Sequence, residues 1–435
     1  MYATGRRGAE APGRFRSADR GRCSTALRGR WLGRMDLDAR PPGGAPGGPP
    51  VGGRRATAVS VLSTVQVSYP LFVVAALAPA LQDELGLTEA MLGAVVAAYF
   101  LASSATSVAG GRVADALGWR PVVAAGSWVT AAVVLAGAVV VRGPSHLLVL
   151  VAVVGVLNGL TQPAATEILT VGVPPARQGR AFGAKHAAVP GASLLAGLAV
   201  PTLAGSWGWR PTMAAAAVAT LPLVALLPRR CGRRPRRRSP SATVPRVPLD
   251  PALVLVSVAA ALGAAAANAV AGFVVVGAVA TGMSHGGAGW LLSGCSVACI
   301  VTRVVAGLRV DRTGRALPLA AGLLGVGVVG HLLLASAGTS SVRFTIGAVV
   351  AFAGGWGWTA VLGLGVVREF RHSPAAATGV LHVGAFGGGL AGPLLFGGLL
   401  AVTSYRVAWA VVALLGAAGA GCLLVVLRGR RPGRG

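Results

Sequence analysis

Between residues 57 and 427 the chain is a succession of long stretches that are apolar on every side, with charge confined to the short segments between them. Twelve such stretches can be marked. The first six lie at roughly 57–80, 90–109, 121–141, 147–171, 181–205 and 211–228. The second six lie at roughly 251–281, 288–308, 317–336, 343–366, 375–401 and 407–427. About 20 apolar residues cross the hydrocarbon core of a bilayer as a helix. A helix that is apolar all round has no place on the surface of a soluble domain. Lipid also leaves the backbone no option but a structure that satisfies its own hydrogen bonds. The pattern therefore predicts an all-α polytopic membrane protein of twelve transmembrane helices.

Composition agrees. The chain is 54% hydrophobic and 12% charged, where a soluble domain carries about 25% charged residues. The net charge of +27 is one that nucleic-acid binders also show. Here, however, the arginines border apolar spans and form no basic face, so no nucleic-acid partner is expected. The cysteines at 23, 231, 295, 299 and 422 make neither a paired framework nor a metal signature. Neither metal nor cofactor is expected. Cys295 and Cys299, four apart on one helix, read as small buried packing residues.

Residues 1–54 are rich in Arg, Gly and Pro and lack the apolar core of a signal peptide. They read as a disordered cytoplasmic tail, within which Met35 is an alternative start. Residues 229–250, which open on Arg229-Arg230-Cys231-Gly232-Arg233-Arg234, read as a basic cytoplasmic linker, and 429–435 as a short cytoplasmic tail. What remains is an N-terminal half, 55–228, and a C-terminal half, 251–428, of six spans each.

Lys and Arg accumulate on the cytoplasmic side of a membrane protein. With both termini inside, the outer loops hold only Arg142, Arg210, Arg343 and Arg406 of the 39 basic residues. The others fall in inner segments, save Lys185 and Arg303 on the spans themselves. A missed span would scramble this asymmetry, so the expected topology is multi-pass in the plasma (inner) membrane with both termini cytoplasmic.

A shift of 196 residues lays one half on the other: Gly111, Asp115 and Gly118 fall on Gly307, Asp311 and Gly314, and Gly183, His186, Gly191 and Arg210 fall on Gly379, His382, Gly387 and Arg406. Glycine matches are cheap in this composition, whereas Asp and His matches are not. The shift spans an even number of helices, so the halves are parallel six-helix pseudo-repeats about an axis along the membrane normal.

The loops after the second and eighth spans read Gly111-Arg112-Val113-Ala114-Asp115-Ala116-Leu117-Gly118-Trp119-Arg120 and Gly307-Leu308-Arg309-Val310-Asp311-Arg312-Thr313-Gly314-Arg315. Together they resemble the G-x-L-A-D-R-x-G-R-R hallmark of the major facilitator superfamily, and the resemblance covers about residues 55–428. Gly111 and Gly307 are expected to allow close helix approach, and Gly118 and Gly314 a tight turn. Asp115 and Asp311 can pair with nearby arginines or face a helix N-terminus. The resemblance implies a conformational latch between halves made of Gly111, Asp115, Gly118, Arg120, Gly307, Asp311, Arg312, Gly314 and Arg315, which favours the outward-open state. The first copy departs from the pattern at Ala116 and Trp119, usually basic positions, and its latch is expected to be the weaker.

Polar residues inside spans are costly and point to function. The spans offer Gln66, Ser68 and Tyr69 on the first, Asn158, Gln162 and Glu167 on the fourth, Lys185 and His186 on the fifth, Asn268 on the seventh, Arg303 on the eighth and His382 on the eleventh. Candidates for substrate binding or coupling are Gln66, Tyr69, Gln162, Glu167, Lys185, His186, Asn268 and His382. His186 and His382 occupy matching positions and titrate in the range a coupling proton needs, although packed histidines between helices fit as well. His331 reads as structural. Glu167 and Lys185 lie at similar depth on adjacent antiparallel helices, where an ion pair would offset the cost of each charge. Pro70, Pro163, Pro190, Pro201 and Pro393, with Gly387-Gly388-Gly389, mark places where helices bend or are merely tolerated.

The resemblance implies a secondary transporter that moves a small molecule by alternating access, driven by an ion gradient and expected to use protons, working as a monomer among membrane lipids. An enzyme would need a nucleophile and base or a metal cluster, and a primary pump a phosphate-binding Gly-Lys-Ser/Thr loop; the sequence has neither. A multidrug or metabolite efflux antiporter is an alternative. Against it, the family's drug exporters carry R-x-x-x-G in the fourth helix, and here Gly155 stands at the arginine position before Gly159. A non-transporting membrane sensor is the alternative of another class, and the chain has no soluble output domain to support it.

Overall fold

The computed structural model describes residues 52–219, 250–370 and 374–429. The tail and linker expected at 1–54 and 229–250 lie almost wholly outside these residues, as do Cys23, Met35 and Cys231. Helix α1 spans Gly53–Ala76, α2 Glu89–Leu117, α3 Trp119–Val140, α4 Pro144–Gly172, α5 Pro175–Ala199 and α6 Trp209–Ala219. In the second half α7 spans Pro251–Ala280, α8 His285–Thr313, α9 Ala316–Ala335, α10 Ser341–Glu369, α11 Pro374–Val402 and α12 Tyr405–Gly429. Among the described residues eleven helices are long and apolar enough to cross a membrane. The remainder of the predicted sixth span, beyond Ala219, lies outside the described residues.

Local chemistry sets the helix ends. Thr88 accepts from the Met91 N–H to start α2, Asp250 caps α7, and Ser284 accepts from the Gly287 N–H to start α8. At the two motif loops Gly118 has φ +83° and Gly314 φ +68°. These are left-handed backbones that glycine adopts without strain, and they deliver the expected tight turns. The other motif glycines behave differently from expectation. A Cβ at Gly111 or Gly307 would meet nothing within 4 Å. The close approach is made one residue earlier, by Gly110, whose missing side chain would strike Gly159 and Leu160 of α4.

Helix α10 departs from the single uninterrupted span expected at 343–366, because Ala351–Trp356 forms a wide π turn. The cause lies in its packing on α9. A Cβ at Gly327 would lie 2.5 Å from the Gly355 Cα, and one at Gly354 2.6 Å from the Gly327 nitrogen, so the two backbones touch. A wider turn accommodates that contact and leaves carbonyls unused by the helix. A second π turn, Val200–Ala204, follows α5 at Pro201. Pro70, Pro163, Pro190 and Pro393 are carried inside α1, α4, α5 and α11.

Two seams join the halves, and they are equivalent under the 196-residue shift. In one, Gly93 of α2 abuts Pro393 of α11, Gly397 lies against Glu89, and Gly389 against the Phe100 ring. In the other, Gly289 of α8 abuts Gly197 of α5 and Pro201, and the Ser296 hydroxyl donates to Ser193 at 3.0 Å. Gly93 maps to Gly289, Gly197 to Pro393, Pro201 to Gly397, Phe100 to Ser296 and Ser193 to Gly389. Contacts that repeat pair by pair support the parallel repeat more strongly than scattered identities do.

Both seams lie on the face opposite the two motif loops. Toward that far face α1 is buried without a break from Gln66 to Ala76, and α7 from Ala269 to Ala278. One apolar core there includes Phe72, Val96, Leu292, Phe352 and Phe396 and so crosses between the halves. On the motif face the core splits. Val59, Val123, Ile168 and their neighbours form a cluster from the first half alone. Leu253, Val310, Leu324 and Leu423 belong to another, from the second half alone. The bundle is joined at the far face and forked at the motif face.

Candidate functional site

The base of the fork is polar. Lys185 and His186 on α5, Arg303 on α8 and His382 on α11 converge there, and Lys185, Arg303 and His382 all lie within electrostatic reach of His186. The His186 and His382 side chains are both exposed. Because charged neighbours surround His186, that exposure marks a gap reachable by water, and not a lipid-facing surface.

Arg303 is only 8% exposed. Its Nη1 donates to the His186 carbonyl at 2.7 Å, across the inter-half seam, and its Nη2 to the Trp356 carbonyl at 3.1 Å. That second acceptor is the end of the π turn in α10. The guanidinium also lies 5.4 Å from the centre of the Trp356 ring, a cation–π contact. The Trp356 ring in turn stands 5.7 Å from Phe72 of α1. A glycine-driven π turn thus supplies an acceptor for a buried arginine, which ties α8 to α5 and α10.

The sequence offered Arg303 as a polar residue within a span but did not place it among the cavity candidates. Sequence gives its depth and not its rotation about the helix axis. The signal available was its rarity, since Lys185 and Arg303 are the only basic residues well inside spans.

The first-half candidates form a separate network. Gln162 Nε2 donates to Asn158 Oδ1 at 3.3 Å, Thr64 Oγ1 lies 3.5 Å from Gln162 Oε1, and the Asn158 amide reaches the Ser103 hydroxyl. Ser60 bonds the Ala165 carbonyl at 2.6 Å. These hydroxyls were not singled out from sequence, where serine and threonine are routine in membrane helices. Gln66 turns away from the gap, donating to the Ser127 carbonyl of α3 at 2.9 Å. Tyr69 is buried in the far-face core. Asn268 bonds the Ala264 carbonyl of its own helix at 2.8 Å and lies by Phe72 and Phe100, where α1, α2 and α7 meet.

The expected Glu167–Lys185 ion pair is replaced by another contact. The Lys185 ammonium donates to Thr166 Oγ1 at 2.9 Å, so α4 presents the neighbouring residue to α5. One residue along a helix turns the side chain by about 100°, and that rotation decides the partner.

His331 is buried on α9 against the π turn, consistent with its structural assignment; among the described residues neither ring nitrogen has a hydrogen-bond partner. Cys295 and Cys299 are buried and free, as expected of packing residues. A cavity of about 280 Å³ lined by Thr281, Phe344, Tyr405 and Trp409 opens on the far face within the second half, away from the polar cluster.

At the motif loops Asp311 pairs with Arg368 of α10 at 3.6 Å. This is a contact within the second half and not between halves, and both side chains are largely exposed.

The missing arginine of α4 has a packing explanation. A Cβ at Gly155 would lie 2.5 Å from the Tyr99 carbonyl of α2, and one at Gly159 would strike Ser103 and Thr106. The site of a drug exporter's arginine is filled here by the backbone of α2.

Comparison with solved structures places the chain beside transporters of the same architecture. The nucleoside transporter NupG superposes with a TM-score of 0.66 at 14% identity, covering 86% of this chain and 99% of that one. A bacterial homologue of the human lysosomal transporter Spinster, in an inward-facing and occupied conformation, gives 0.65 at 15% identity, covering 86% and 96%. Comparison with curated proteins gives no match. Residues 60–364 match the family model of the Major Facilitator Superfamily. The polytopic all-α bundle, the paired motif loops and this match make the chain a member of the major facilitator superfamily, a membrane transporter and not an enzyme.

Proposed function

We propose that the protein is a secondary active transporter, a monomer in the plasma membrane that carries a small molecule by alternating access along the gap between halves 55–228 and 251–428. The observation that carries this reading is the fork: one core shared at the far face, two separate cores at the motif face, and accessible polar side chains where they part. The arginine distribution supports a cytoplasmic motif face with both termini inside, so the fork opens inward. A latch that holds the motif face shut in the outward-open state would be disengaged in such a state. The Asp311–Arg368 pair, which stays within one half, accords with that.

An ion gradient, taken as protons, drives the cycle. The candidate carriers are His186 and His382, which sit at equivalent positions in the gap. Lys185 lies within electrostatic reach of both, and Arg303 of His186. Efflux by drug–proton antiport is the less favoured direction, because α2 occupies the place of the exporter arginine. A solute screen in inverted and right-side-out vesicles with an imposed pH gradient tests the proposal. Flux of at least one solute that collapses when the gradient is dissipated is expected. Solute flux indifferent to the gradient would remove proton coupling, and absence of any flux would remove transport.

A further inference from the structure

The cluster at the base of the fork is cationic without a counter-charge. Among the described residues no carboxylate lies within ion-pair distance of Lys185 or Arg303; Glu84 pairs with Arg210 at the far face and Asp311 with Arg368 at the motif face. Lys185 has a neutral hydroxyl as its partner, and the two Nη groups of Arg303 have neutral carbonyls. The remaining nitrogen of Arg303, Nε, is buried with no hydrogen-bond partner, and the Cys299 thiol of the same helix stands beside the guanidinium. Charge buried at membrane depth without an opposite charge is strongly unfavourable, and chains that retain it use it. His186 and His382 present exposed imidazoles from opposite sides of the gap, both within electrostatic reach of Lys185, with Arg303 in reach of His186. Aromatic rings stand at the edge of the gap: Trp356 lies 5.7 Å from Phe72, and Phe386 6.1 Å from the His382 ring.

We propose that this gap binds a small organic carboxylate with an apolar body, its anionic group held by Lys185, His186 and His382 with Arg303 behind them. The proposal rests on the transport reading above and names its substrate class. The Trp356, Phe72 and Phe386 rings beside the cations suit a carboxylate carried on an apolar body better than a bare phosphate. Each Nη donates one of its two N–H groups, so one remains on each beside the buried Nε–H, two ammonium protons and the imidazoles, a set of donors that suits an oxyanion. Because Arg303 ties α5 to α8 through neutral carbonyls only, an arriving anion competes for it directly and loosens that seam. Ligand chemistry and helix movement are thereby joined in one side chain.

The test uses the full chain in phosphatidylcholine vesicles, with and without phosphatidylglycerol. Benzoate, lactate and acetate are each offered beside the corresponding amide, and both thermal stabilisation and uptake are read. At least one carboxylate should stabilise the protein and be transported while its amide does neither. His382→Gln, a change at an exposed side chain, should raise the half-saturating concentration about tenfold or more; Lys185→Gln should do the same. Should Lys185→Gln fail to fold, His382→Gln still decides the matter. Transport of a neutral or cationic solute, with no carboxylate binding, would overturn the anion assignment and leave the transporter reading intact. Stabilisation by phosphatidylglycerol alone would assign the cluster to a lipid headgroup and overturn the proposal. If no solute of any charge moves, the transporter reading falls and this inference with it.

Discussion

Gly307 and Gly314 belong to one motif loop and answer to different constraints. Gly314 holds a left-handed backbone at φ +68°, whereas Gly307 is helical with open space where a Cβ would stand. Gly314→Ala should therefore cost about 1–2 kcal/mol. Gly307→Ala should be neutral or add about 0.5–1 kcal/mol through helix propensity. Thermal melts of the two variants in detergent check the contrast, and equal losses would contradict it. Gly155 is constrained by its neighbour instead. With the Tyr99 carbonyl 2.5 Å from its virtual Cβ, Gly155→Ala should overpack the α2–α4 crossing by about 1–3 kcal/mol. A variant that melts with the parent would mean that α2 does not lie against α4 at that point.

Residue identities of this kind were only partly legible in the sequence. Both glycine turns and the repeat of Asp115 and Asp311 could be read directly, because a turn residue carries its own backbone chemistry. The orientation of Gln66 toward α3, the choice of Thr166 over Glu167 by Lys185, and the central place of Arg303 could not. A helix that is apolar on all sides carries no polar face to fix its rotation, so depth is readable and facing is not.

At the scale of elements, backbone-to-backbone packing does the work that hydrophobic burial does in water, since lipid provides no drive to bring apolar helices together. Helix α11 shows how finely this is apportioned. Gly384, Gly388 and Gly392, four apart, lie against Ser257, Ala261 and Ala265 of α7, while Gly389 faces the Phe100 ring and Gly387 meets nothing within 4 Å. Three consecutive glycines thus have three different surroundings. Gly388→Ala should weaken the α7–α11 contact by about 1–3 kcal/mol, and Gly387→Ala should leave it unchanged; parallel unfolding curves read the difference. Among the described residues the existence and approximate ends of eleven spans were legible because each is long and uniformly apolar. The π turn in α10 was not, because it arises from contact with Gly327 and Gly330 on α9, far from it in sequence. That turn supplies the carbonyl that receives Arg303, so the unread feature lies at the candidate site itself.

At the scale of the whole molecule, the repeat accounts for both the join and the opening. Equivalent pairs close the two far-face seams, Gly93 with Pro393 and Gly289 with Gly197, while among the described residues the apolar clusters at the motif face each belong to one half. The fold and its symmetry were legible from charge placement and the 196-residue offset; the direction in which the fork opens was not, because one sequence serves every state of the cycle. Alternating access requires the far-face seams to part during each turnover, and the Ser193 and Ser296 hydroxyls, 3.0 Å apart across one of them, offer a place to prevent it. In a background with Cys295→Ala and Cys299→Ala, the pair Ser193→Cys and Ser296→Cys can be joined by oxidation and released by reductant. Solute flux in proteoliposomes should stop on oxidation and return on reduction, each single cysteine variant being unaffected. Undiminished flux through the cross-linked protein would contradict the account.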